Sequence, residues 1–115
     1  MVVAFSEEKQ IKDFMKTGSL RTSGQIKPGL AAFRLMDEDA YELIHLSLGA
    51  GQGQEMHTNP LKVLFYVIKG QGQLCVIDEI KCFDTGDCVE VEPEILRSWK
   101  NNSEEILELL VIKFK

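Results

Sequence analysis

The sequence predicts a single all-β domain, a barrel or sandwich of two packed antiparallel sheets, with one short helix in front of it. Short apolar runs recur at intervals of about 8 to 12 residues and are separated by Gly, Asn, Asp or Pro, which is typical of all-β domains. A helical pattern occurs only near the N-terminus. The length of 115 residues is sufficient for one domain with one core.

The helical pattern begins at Ser6, whose hydroxyl can cap a helix, and Glu7 follows in the first turn, where the helix dipole favours negative charge. Ile11 and Phe14 continue it at helical spacing. We therefore expect a helix near 6–16. The chain then divides into residues 1–28, the N-terminal helix and lead-in arm, and residues 29–115, the barrel.

Turn-forming residues separate the β-strands that we predict after this helix. The predicted strands are 30–36, 41–48, 54–58, 62–69, 73–77, 80–83, 88–91, 96–100 and 105–114.

Two of these strands, 61–68 and 106–112, are apolar on both faces, and a strand of that kind needs cover on its outer side. The N-terminal helix or a second subunit could provide the cover. We predict a homodimer, because an exposed apolar patch of this size is unusual in a monomer. The patch would consist of Leu64, Tyr66 and Ile68 or of Leu107, Leu109 and Val111.

Composition excludes several classes of function. Thirteen Lys and Arg against 18 Asp and Glu give a net charge of −5, which does not favour nucleic-acid binding. No apolar run reaches the roughly 18 residues that a membrane span requires. The N-terminus lacks the basic start and apolar stretch of a signal peptide, so we expect a cytoplasmic protein. The three cysteines are interpreted as buried, reduced thiols.

Two segments resemble the paired motifs of the cupin superfamily in order and spacing. The first is GQGQEMHTNPLKVLFYVIKGQG, which ends in the turn at Gly70. The second is GDCVEVEPEILRSWKN, with Gly86, Asp87, Pro93 and Asn101 at the positions that the motif prescribes. The resemblance is to small single-domain cupins, and it implies the cupin double-stranded β-helix, a jelly-roll barrel. Cupins are commonly homodimers.

The same resemblance indicates a degenerate metal site. The positions that hold metal ligands in metal-binding cupins are here His57, Asn59, Val63 and Arg97. Val63 cannot ligate, and Arg97 brings a positive charge that repels a cation. We therefore expect no cofactor and no bound transition metal. Any metal that did bind would use His57 with Glu55 or Asn59.

These positions predict a ligand pocket inside the barrel, formed by Glu55, His57, Asn59, Arg97 and Trp99. Glu55, His57 and Asn59 share strand parity and should point the same way. An inward Arg97 needs a compensating negative charge, because an unpaired buried charge costs several kcal/mol. That partner is either Glu55, in an internal ion pair, or an anionic ligand, which we favour.

The function predicted from these features is binding of a small polar or anionic molecule in the barrel, without the usual metal. The alternative is a cupin-type enzyme with an altered ligand set. It would be a metal-dependent oxygenase or isomerase, or a metal-free acid/base catalyst that uses His57 and Glu55. A third possibility is a structural subunit without a ligand. No catalytic set of residues is visible in the sequence.

Overall fold

The computed structural model describes residues 14–27 and 29–115, and within them the chain forms β-strands and no α-helix. The predicted helix near 6–16 falls mainly on residues 1–13, outside the described part. The described residues contain no helix that is long and apolar enough to cross a membrane. The strands are β1 (Gln25–Lys27), β2 (Leu30–Asp37), β3 (Tyr41–Leu48), β4 (Lys62–Lys69), β5 (Gln71–Val76), β6 (Glu79–Asp84), β7 (Cys88–Val91), β8 (Arg97–Lys100) and β9 (Leu107–Phe114).

The strands form two antiparallel sheets that pack face to face. The larger sheet has six strands in the order β1-β2-β3-β9-β4-β7, and the smaller has three in the order β6-β5-β8. Strands β2 to β9 confirm the predicted positions to within two residues at every end. Segment 54–58 is not a regular strand, and β1 had no counterpart in the sequence prediction. The division at residue 28 stays a prediction, and β1 lies in the stretch assigned to the lead-in arm.

The core lies between the two sheets and is centred on Trp99, whose side chain is fully buried. Its indole packs edge-on against Phe65 of the large sheet, with ring centroids 5.4 Å apart, and against Phe83 of the small sheet at 5.7 Å. Gly72 allows this packing, because a Cβ there would lie 2.6 Å from Leu107 and 3.0 Å from the indole. The remaining core residues are Ala32, Ile44, Leu46, Leu48, Val63, Val67, Leu74, Val91, Leu107, Leu109 and Val111.

Asn101 is a fully buried polar residue that joins the ends of several strands. Its amide nitrogen donates hydrogen bonds to the carbonyl oxygens of Leu48 (2.9 Å), Gly49 (3.1 Å) and Glu105 (2.7 Å). Its amide oxygen accepts from the backbone N–H and the hydroxyl of Ser103. One side chain therefore connects the end of β3, the end of β8 and the turn that leads into β9.

The outer face of the six-stranded sheet carries a continuous apolar patch. Leu43, Ile112 and Leu64 are direct cross-strand partners on β3, β9 and β4, and Leu110 and Tyr66 are partners in the next row. Tyr66 is 43% exposed. The alternative patch of Leu107, Leu109 and Val111 is wrong, because these three side chains alternate inward and are buried in the core.

The cysteines differ from the interpretation as buried thiols. All three are free, as expected for reduced thiols, but Cys82 and Cys88 are exposed and Cys75 is half-buried. The reason is that β6 and β7, which carry Cys82 and Cys88, are edge strands with one open face.

The Asn101→Ala substitution should lower the free energy of unfolding by about 2–4 kcal/mol, because it leaves buried carbonyl oxygens without donors. Denaturant unfolding measures the effect. Asn102→Ala is the matched control, since the neighbouring Asn102 bonds only at the surface, to Gln73. Equal stability of the two variants would contradict the structural role of Asn101.

We propose that a second copy of the chain covers the apolar patch, with two-fold symmetry. Light scattering should then give twice the chain mass of 13.0 kDa at micromolar concentration. Tyr66→Lys should shift the protein to the monomer, because it places a charge inside the interface. Ile80→Lys, at a 62% exposed position on the small sheet, should leave the mass unchanged. A monomer mass for the unmodified protein refutes the dimer.

Candidate ligand site

The segment before β4 runs beside β8 and extends the small sheet. The backbone N–H of Gln54 donates to the carbonyl of Trp99 at 2.9 Å. The N–H of His57 donates to the carbonyl of Arg97 at 3.0 Å, and the N–H of Arg97 returns a hydrogen bond to the carbonyl of His57 at 2.9 Å. The predicted strand 54–58 is therefore an irregular, bridged segment that fixes His57 next to Arg97.

This pairing contains one extra residue, which reverses the direction of the side chains before it. Gly53 bridges Lys100 and His57 bridges Arg97, so four steps along the segment match three steps along β8. An extra residue of this kind is a β-bulge, which re-aims the side chains around it. As a result, Gln54 and His57 line the barrel cavity and Glu55 is exposed. The expectation that Glu55 points inward is wrong, because its parity argument assumed a regular strand.

The cavity lies between the bulged segment and the six-stranded sheet and has a volume of about 180 Å³. It contains three of the five predicted pocket residues, His57, Asn59 and Arg97. It is lined by Ile26, Leu30, Ala32, Ile44, Leu46, Gln54, His57, Asn59, Val63, Phe65, Arg97, Val111 and Lys113.

Arg97 is the most deeply buried polar residue of this cavity, at 2% exposure. One terminal nitrogen, Nη1, donates to the carbonyl of Ile95 at 3.3 Å, while the buried Nε has no hydrogen-bond partner in the described part of the chain. Among the described residues it forms no ion pair, with Glu55 or any other carboxylate. Burial lowers the pKa of the Arg97 guanidinium below its ordinary value, because desolvation disfavours the charged form.

The side-chain oxygens of the two cavity amides, Asn59 and Gln54, already accept hydrogen bonds from the backbone. Asn59 Oδ1 accepts a hydrogen bond from the N–H of Leu61 at 2.9 Å, and Gln54 Oε1 accepts one from the N–H of Trp99 at 3.2 Å. Because a backbone N–H can only donate, these contacts identify the oxygen end of each amide. The NH₂ groups of Asn59 and Gln54 remain as donors for a ligand.

The ring of His57 is oriented by the backbone. Its Nδ1 lies 2.8 Å from the carbonyl oxygen of Glu55, and since a carbonyl only accepts, Nδ1 carries the proton. Nε2 is then an acceptor in the neutral ring and a donor in the protonated ring. The acid/base pair of His57 with the Glu55 carboxylate is not assembled in the cavity. His45 lies on the outer face of the sheet, with Nε2 3.4 Å from Glu108.

Trp99 was expected to form a wall of the pocket, and the structure places it behind that wall. Its indole is enclosed in the core, and Phe65, against which it packs, is the ring that reaches the cavity. The indole Nε1 is buried, and no described residue forms a hydrogen bond with it. Arg97 and Trp99 share a face of β8, as predicted, but the Trp99 indole is enclosed between Phe65 and Phe83 in the core.

Two polar cavity residues were missed in the sequence. Gln54 was missed because the bulge is not visible in the alternation pattern. Lys113 continues the inward alternation of Leu107, Leu109 and Val111, but β9 is apolar on both faces, so its inner face could not be identified from sequence.

The four positions that correspond to cupin metal ligands, His57, Asn59, Val63 and Arg97, all line this cavity. The motif alignment therefore identifies residues that the structure brings together in one cavity. Their donors do not fit a transition metal, because one imidazole and one amide face a valine and a guanidinium, whereas such sites need three or four N, O or S ligands. Within the described residues, no three His, Cys, Asp or Glu side chains are grouped so that they could hold a metal ion.

The family model described as Cupin domain matches residues 43–113. The chain therefore belongs to the cupin family, and its fold is the cupin β-barrel. No curated protein matches it significantly.

Solved structures show the same fold at low sequence identity. A Cupin 2 conserved barrel domain protein from Salinispora arenicola has a TM-score of 0.72 at 18% identity, covering 83% of each chain. The Cnp3 cupin domain of Schizosaccharomyces pombe has a TM-score of 0.75 at 16% identity, over 84% of this chain and 72% of that one. A predicted oxalate decarboxylase from Thermotoga maritima has a TM-score of 0.67 at 17% identity, over 72% and 77%.

Elemental analysis of the purified protein should give far less than one Fe, Mn, Ni or Zn per chain, since Arg97 and Val63 replace two of the four ligands. His57→Ala should leave the metal content unchanged. About one metal per chain, lost in His57→Ala, would overturn this expectation.

Proposed function

We propose that the protein binds a small anionic molecule in the barrel cavity, without a metal, and that Arg97 is its charge partner. The observation that carries the proposal is the buried Nε of Arg97, which has no hydrogen-bond partner among the described residues, in a cavity whose described lining contains no carboxylate. A guanidinium prefers planar, two-pronged contacts with carboxylates or phosphates. Such a ligand would supply the missing acceptor and the missing negative charge.

The buried charge of Arg97 has a free-energy cost. Removing an ion from water costs several kcal/mol unless a counter-charge and hydrogen bonds compensate it. Within residues 14–27 and 29–115, the contact of Arg97 Nη1 with the Ile95 carbonyl supplies an acceptor but no counter-charge. The ligand-free cavity therefore retains an electrostatic cost that an anion removes on binding.

The other polar groups of the cavity also favour a negatively charged ligand. Gln54 and Asn59 offer NH₂ donors, because backbone N–H groups occupy their oxygens. Lys113 adds a second positive charge and makes no ion pair with another described residue. The lining thus combines two cations with two donor amides and favours an anion over a cation or a neutral molecule.

Arg97→Met should leave the thermal midpoint of the ligand-free protein unchanged or slightly raised, because it removes an uncompensated buried charge and keeps the packing. Small carboxylates or phosphate should raise the midpoint of the unmodified protein by about 5 °C or more at roughly 100 times the Kd. The Arg97→Met variant should lose this stabilisation. Differential scanning fluorimetry at constant ionic strength measures both effects.

Arg34→Met is the matched control. It makes the same change in charge at an exposed position on β2, where Arg34 pairs with Glu42. This variant should keep the full response to anions. Anion stabilisation that persists in Arg97→Met, or that is absent from the unmodified protein across the whole series, would refute the proposal.

A further inference from the structure

The cavity has two chemically different walls. Among the described lining residues, the six-stranded sheet contributes a wall from β1, β2, β3, β4 and β9 on which Lys113 is the single hydrogen-bonding side chain. The apolar lining residues are Ile26, Leu30, Ala32, Ile44, Leu46, Val63, Phe65 and Val111. The polar side chains Gln54, His57, Asn59 and Arg97 come from the opposite side, on the bulged segment, the residues that follow it and β8.

We propose that the ligand is a compact hydrophobic carboxylic acid, with one carboxylate at Arg97 and a ring or short branched chain against the sheet. This inference rests on the proposed function and narrows it. An inorganic anion would satisfy Arg97 and leave the apolar wall in contact with water. A ligand with an apolar body also gains the free energy of removing that wall from water.

The volume of the cavity limits the size of the apolar body. An apolar protein cavity of about 150 Å³ holds one benzene ring. The cavity of about 180 Å³ found here therefore matches one ring with its carboxylate better than a fused ring system or a long acyl chain.

The position of Lys113 indicates how many negative charges the ligand carries. Lys113 is only half-buried at the end of β9, so its ammonium stays hydrated and requires no counter-charge from the ligand. A second carboxylate on the ligand would have to leave water against an apolar wall, which is unfavourable. The site therefore fits a monocarboxylate better than a dicarboxylate.

Isothermal titration calorimetry with benzoate, acetate, phosphate, succinate and benzamide tests this ligand class. Benzoate should bind at least about tenfold more tightly than acetate, because its ring buries additional apolar surface. Phosphate and succinate should bind more weakly than benzoate. Benzamide keeps the ring and lacks the charge, so it should bind far more weakly than benzoate. Benzoate should also bind far more weakly to the Arg97→Met variant than to the unmodified protein.

Ala32→Leu tests the apolar wall separately from the donors. Ala32 lines the cavity from β2, and a larger side chain there occupies the space assigned to the ring. The variant should lose most benzoate affinity and keep that for acetate. Ala31→Leu is the matched control, since Ala31 is exposed on the other face of β2. Ala32→Val provides a smaller change, with a smaller loss of benzoate affinity, if the leucine disturbs folding.

The outcomes separate this inference from the proposed function. If acetate, phosphate or succinate binds as tightly as benzoate and depends on Arg97, the anion site stands and the hydrophobic ligand class is refuted. If Ala32→Leu weakens acetate and benzoate equally, the apolar wall does not contact the ligand, which also refutes it. If none of the five probes binds, the proposed function itself fails.

Discussion

The side chain of Asn101 forms five hydrogen bonds that hold the ends of β3 and β8 and the turn into β9 in one place. Its backbone adds two more, from the N–H of Gly51 and to the carbonyl of Gln52. The loop at residues 49–52 is thereby fixed against β8, and the segment that follows it begins its pairing at Gly53. The position of the bulge, and with it the polar wall of the cavity, depends on this buried amide.

The barrel was predictable because its determinants are local and periodic. Turn residues at regular spacing separate the strands, and the glycine turn at Gly70 and the buried Asn101 occupy positions that the cupin motifs prescribe. Strand β1 was not predictable, because its three residues, Gln25–Lys27, are all exposed and carry no alternation. It forms because it can pair with the edge of β2. The local sequence of β1 does not show that this edge is available.

The site was predicted less completely than the fold. His57, Asn59 and Arg97 were located by the motif, since the spacing of a motif already includes irregularities of the backbone. Glu55 was misplaced because strict alternation cannot anticipate an inserted residue, and the same insertion concealed Gln54. Whether Arg97 forms an ion pair depends on three-dimensional distances. The sequence therefore left both Glu55 and an anionic ligand open as its partner, and the described residues provide no ion pair.

The burial of Trp99 gives the molecule an internal optical reporter. It is the only tryptophan in the chain and it is fully enclosed, so its emission should be blue-shifted, as in an apolar solvent. Phe65 makes a T-shaped ring contact with this indole and also lines the cavity. Any molecule that moves Phe65 therefore changes the surroundings of the fluorophore. Occupancy of the barrel is thus coupled to intrinsic fluorescence through one aromatic contact, without a label.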